Sequence, residues 1–107
     1  MRLIDILEQN SENIYTVSCN KITEPLIKEF LINEVCKKSK IKFINNFNFN
    51  LKVAKFGIGD IKSTLLSFSC SGDDGVKNGM IYLETLSFNL NDFLIFFRDY
   101  KLSLIIN

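Results

Sequence analysis

The chain has 107 residues and a net charge of +1. That length corresponds to one domain, residues 1–107, and a charge so close to neutral argues against the basic footprint of a nucleic-acid binder. Hydrophobic residues make up 47% and charged residues 23%, a balance that excludes a disordered tail. Ten phenylalanines supply a large core without disulfide or metal staples.

In chain order, "RLIDILEQN" places Leu3, Ile6 and Leu7 at helical spacing and predicts a short first helix. "NIYTVSC" is β-branched and aromatic and predicts a strand. "TEPLIKEFLINEVCKKSK" is the clearest helix. Thr23 is its expected N-cap, Glu24 and Pro25 suit the first turn, and Leu26, Ile27, Phe30, Leu31 and Val35 form an apolar face. Lys37, Lys38 and Lys40 cluster at its end, where the helix dipole favours cations.

In "KIKFINNFNFNLKVAKFGIGD", Phe47, Phe49, Leu51 and Val53 alternate with Asn48, Asn50 and Lys52, as in a half-buried strand. The phase slips at "VA" and predicts a bulge near Ala54; Gly57 and Gly59 then close the strand. "STLLSFSCS" sets Leu66, Phe68 and Cys70 against Ser67, Ser69 and Ser71, and "MIYLETLSF" is a further strand. Between them "SGDDGVKNG" is expected to be a hairpin loop. "NDFLIFFRDYK" places Phe93, Phe96, Phe97 and Tyr100 on one face of a helix with Asn91 as cap, and "LSLII" reads as a final strand. The order α-β-α-β-β-β-α-β predicts an α+β domain, a mainly antiparallel sheet with two to three helices packed against it.

The chain has no histidine, so a nucleophilic serine or cysteine lacks its usual base, and no enzyme activity is expected. Cys19, Cys36 and Cys70 are too few and too scattered for a disulfide framework or a zinc site; reduced thiols are expected. Asp73 and Asp74 are adjacent rather than alternating, and the next glutamate is Glu84, so a calcium loop is not expected. "GIG", Gly57 to Gly59, lacks the spacing of either phosphate-loop fingerprint and is expected to be a turn. No cofactor and no metal is expected. The amino terminus carries Asp5 and Glu8 where a secretory signal would be uncharged, and the longest apolar run is Phe93 to Phe97, far short of a span of about 20 residues. A cytoplasmic protein without a membrane partner is therefore expected.

Charge is unevenly distributed. Residues 1–20 carry −2. Residues 21–62 hold nine lysines against Glu24, Glu29, Glu34 and Asp60, and residues 63–107 again carry −2. In that last block Asp73, Asp74, Glu84, Asp92 and Asp99 are the candidate partner-binding residues, because an acidic face steers a basic partner.

The overall profile, a small single domain rich in Asn, Ile, Lys and Phe with no evident active site, resembles the immunity proteins of contact-dependent growth inhibition and related toxin systems. The resemblance spans the whole chain and rests on no signature motif. It implies a one-to-one complex with a cognate toxin domain, often a nuclease, whose active site or substrate approach is blocked. The net charge of +1 departs from the acidic balance common among such inhibitors. A regulator or anti-defence inhibitor of a nucleic-acid enzyme fits the same sequence features, and a small-ligand-binding domain would need a deep polar pocket. If the acidic block meets the partner, Asp73→Lys with Asp74→Lys slows association, more so at low salt; stopped-flow kinetics over a salt series measures it.

Overall fold

The computed structural model describes residues 1–44, 48–76 and 79–106. Helix α1 (Leu3–Gln9) leads into strand β1 (Ile14–Ser18), a single 3-10 turn (Cys19–Lys21) and helix α2 (Pro25–Lys38). Strands β2 (Phe43–Ile44), β3 (Asn50–Ile58), β4 (Ile61–Asp73) and β5 (Ile81–Asn89) follow, and helix α3 (Leu90–Ile106) comes last. All strand pairs are antiparallel. β4 is central: β5 lies on one side of it, and β3 followed by the short β2 lies on the other, with β1 outside β3. The expected α+β architecture is present. No helix among the described residues is long and apolar enough to cross a membrane.

The period-2 alternation puts one set of side chains under the helices. Tyr15, Leu51, Val53, Leu66, Phe68, Cys70, Leu86 and Phe88 are buried on that face, together with Leu3 and Leu7 of α1 and Ile27, Phe30, Leu31 and Val35 of α2. Phe93 of α3 is fully buried among them. Its ring centroid lies 5.4 Å from Phe68, 5.6 Å from Phe88, 5.7 Å from Phe30 and 5.9 Å from Phe97, so one side chain joins α3 to α2, β4 and β5.

Several local expectations are corrected. "LSLII" is not a strand: α3 continues through it to Ile106. A helix already nucleated adds each residue cheaply, and no Gly or Pro interrupts it after Tyr100. β3 carries no bulge at Ala54, since its register with β4 runs one for one from Asn50↔Ser69 to Ile58↔Ile61. The alternation fades there because β3 leaves the core, not because it slips. The segment expected to be one strand is two, β2 and β3; Phe47 lies outside the described residues.

Both helix caps sit one or two residues from their expected places. Glu24, not Thr23, precedes α2, with Pro25 as the first helical residue. The Glu24 carboxylate instead accepts the Leu3 N–H at 2.7 Å, satisfying an orphan donor at the start of α1. Asn89, not Asn91, caps α3: its Oδ1 accepts the Asn91 N–H at 2.9 Å. Of the predicted α3 face, Phe93 and Phe97 are buried and Tyr100 packs partly against the core, whereas Phe96 is half exposed.

Phe93→Ala is expected to lower unfolding free energy by about 3–5 kcal/mol, and Asn89→Ala by about 1 kcal/mol through the lost cap. Phe96→Ala, on the wet side of the same helix, costs much less than Phe93→Ala. Urea unfolding followed by far-UV circular dichroism measures all three.

Candidate functional site

The five candidate carboxylates do not form one patch. Asp73 ends β4 with its side chain on the face away from the helices, opposite Ile81. Asp74 follows it in the loop. Glu84 pairs with Cys70 on the helix-bearing side. Asp92 sits in the first turn of α3, at the far end of β5, about 27 Å away along a strand of that length. Asp99 is exposed further along α3, 3.7 Å from Arg98. Only Asp73 and Asp74 stay together, and both work locally. Asp73 Oδ1 accepts the Gly75 N–H at 2.9 Å and Asp74 Oδ1 accepts the Val76 N–H at 3.0 Å, holding the chain reversal that Gly75 completes with φ of +79°. The quoted glycine-rich stretch is thus a hairpin loop between β4 and β5; Lys77 and Asn78 lie outside the described residues.

The lysine-rich middle is also dispersed. Lys37 and Lys38 lie 3.9 and 3.4 Å from Glu34; the lysines are exposed and the shared carboxylate is partly buried, and pairs at a helix surface of this kind are worth about 0–1 kcal/mol each. Lys38 also stands 5.5 Å above the Phe88 ring. Lys55 lies 5.3 Å from the Tyr15 ring and donates to the Asn10 carbonyl. Among the described residues, no three His, Cys, Asp or Glu side chains gather as a metal-binding set. The groove beside the start of α2, about 470 Å³, is lined by Ile22, Pro25, Lys28, Ile32 and Phe49 with Glu24, whose carboxylate is already committed to Leu3.

The thiols follow the same pattern of structural use. Burial pushes the Cys19 thiol up to about 12, opposed only by Lys28, and burial raises Cys70, with Glu84 and Cys36 adding to it. All three cysteines are free; Cys36 alone is partly exposed.

The prominent surface feature is an element that the sequence reading passed over. β1 stops pairing with β3 at Ala54, and β5 stops pairing with β4 at Leu65. Residues 55–58 and 61–64 therefore continue as a two-stranded ribbon beyond the sheet. The molecule is correspondingly long, 51 × 34 × 23 Å, with a radius of gyration of 14.9 Å against about 13 Å for a compact chain of this length. Phe56, Ile58 and Ile61 project from the ribbon on the side away from the helices and are 58%, 90% and 77% exposed. The glycines build this element. Gly59, φ +64°, opens a two-residue turn with Asp60, as the hairpin twist demands. At Gly57 a Cβ would run into the Ile61 carbonyl and come within 2.8 Å of the Lys62 Cα. "GIG" is thus hairpin chemistry, and Gly57 lies within the strand rather than closing it. The signal that could have found the ribbon is "IGDI", a Gly-Asp pair between two isoleucines.

The rest of the open sheet face is polar at its centre, with Thr16, Asn50, Lys52, Ser67, Ser69, Thr85 and Ser87, and Ser67 and Ser87 share a 3.2 Å hydroxyl contact across strands. Apolar side chains return at the other end, where Ile81 and Leu83 are exposed. No family model, no curated protein and no solved structure matches the chain.

At pH 8 a thiol reagent is expected to modify Cys36 first and to reach Cys19 and Cys70 only through unfolding. Below its raised native value Cys19 stays protonated, so its share of stability is full below the ordinary thiol range and is lost as pH climbs toward 12. Equal, fast reaction of all three thiols would contradict this.

Proposed function

We propose that the chain is a protein-binding inhibitor that neutralises a cognate toxin domain, a nuclease in the first instance, in the cytoplasm of the cell that makes it. The observation that carries the protein-binding part is the ribbon. A paired hairpin that holds Phe56, Ile58 and Ile61 in water is costly unless something covers them. Every ribbon residue from Lys55 to Ile58 is paired across to β4, so docking orders little that is not already ordered. Covering the exposed portions of the three side chains is worth about 3–7 kcal/mol gross. Association entropy offsets an amount of that order, so the neighbouring Lys52 and the hydroxyl-bearing sheet face must contribute polar contacts around the apolar centre. The toxin assignment rests on the overall sequence profile, to which the absence of histidine and the scattered carboxylates add no competing chemistry.

In this reading the ribbon tip enters the toxin's cleft and blocks substrate approach. Asp73 lies about 40 Å from Ile61 along β4, several screening lengths at physiological salt, so the two ends act separately. Co-expression with the toxin domain encoded by the gene immediately upstream tests the proposal. A one-to-one complex that restores growth is expected. Ile58→Asp with Ile61→Asp is expected to weaken that complex at least 100-fold without changing the circular dichroism spectrum, and Asp73→Lys with Asp74→Lys to leave affinity within a few fold. The reverse pattern would move the interface to the acidic loop, and no complex with no rescue would overturn the toxin reading.

A further inference from the structure

β5 pairs with β4 along its whole length and, among the described residues, with no strand on its other side. Among the described residues, no loop or helix takes up the backbone groups on that outer side. Edge strands of this kind are normally blunted by brevity, a lysine, a proline or a bulge. β5 has none of these. It is nine residues long, "IYLETLSFN", with Glu84 as its single charge, and its register runs one for one from Leu65↔Asn89 to Asp73↔Ile81. β1, at the opposite edge, is only five residues. Beside the bare edge of β5, Ile81 and Leu83 stand on the open face, 66% and 83% exposed. An unpaired backbone and an exposed apolar pair thus coincide on one strand.

We propose that two copies of this chain join through β5, antiparallel about a twofold axis at Leu83, into one continuous ten-stranded sheet. The side chains select both the occupant and the register. With the axis at Leu83, Leu83 faces its own copy, Ile81 faces Thr85, and each Leu83 lies diagonal to the other chain's Ile81, so four exposed apolar side chains shield one another. On the helix-bearing side Tyr82 then faces Glu84. With the axis at Glu84 two carboxylates would oppose each other. With the axis at Thr85, Leu83 would face Ser87 and Ile81 would face Asn89, leaving both apolar groups against polar partners. Antiparallel self-pairing is isologous, so the pair closes and does not grow into a fibre. The ribbons lie at the far end of β4 and stay free, so the pairing does not depend on the toxin reading.

The purified chain alone tests this. Sedimentation velocity from micromolar to millimolar concentration is expected to show a reversible shift from 12.3 kDa to twice that mass. Leu83→Lys, at a position exposed enough to leave the fold intact, is expected to weaken the pair at least 100-fold. In a Cys36→Ser background, Leu83→Cys is expected to give a covalent dimer under mild oxidation and Thr85→Cys to give little. A chain that stays monomeric throughout, or a dimer indifferent to Leu83→Lys, would overturn the proposal. Cross-linking by Thr85→Cys instead of Leu83→Cys would overturn the register.

Discussion

The burial of Phe93 is the constraint on which the rest depends. Its ring meets Phe30 of α2, Phe68 of β4, Phe88 of β5 and Phe97 of its own helix. α3 follows β5 with no intervening loop, because Asn89 ends the strand and caps the helix at once. The helix must therefore turn back over the face on which Phe88 points, and Phe93, one turn in, falls where Phe30 and Phe68 converge. α2 and α3 are held side by side by this cluster; the ion pairs on these helices, Lys37 and Lys38 with Glu34 and Arg98 with Asp99, each lie within one helix and do not join them.

Because all three helices are drawn to one face, the other is left to water. A sheet of this kind answers with serine and threonine at its centre, which satisfy themselves or water without burying charge. The apolar side chains that remain on the open face are concentrated at its two ends: the ribbon tip with Phe56, Ile58 and Ile61, and the edge of β5 with Ile81 and Leu83. The central strand β4 is longer than the strands beside it, and that mismatch creates the ribbon. The two ends differ in kind: the ribbon offers side chains on a projecting hairpin, whereas β5 offers backbone as well.

Much of the fold was legible because short-range rules had no competitor. Leu66, Phe68 and Cys70 alternate with serines, and Phe93, Phe97 and Tyr100 recur at helical spacing, so strand and helix followed from periodicity. The errors came where a local pattern had two meanings. "LSLII" has strand composition but continues a helix already under way. The faded alternation after Val53 resembled a bulge but marked the point at which β3 outruns β1 and leaves the core. The five carboxylates share a stretch of sequence, yet strand parity and chain reversal send Asp73, Glu84, Asp92 and Asp99 to different sides and ends.

The sequence by itself determined the class of the domain, the identity of most core residues, the reduced state expected of its cysteines and the absence of histidine chemistry. All of these depend on composition and on periods of two and 3.6 residues. The tertiary structure alone decided which strands neighbour one another and how far each pairing extends. From those lengths follow the overhanging ribbon, the unpaired edge of β5 and the dispersal of the acidic block. Pairing extent depends on contacts between segments distant along the chain, and no window of local sequence contains both partners.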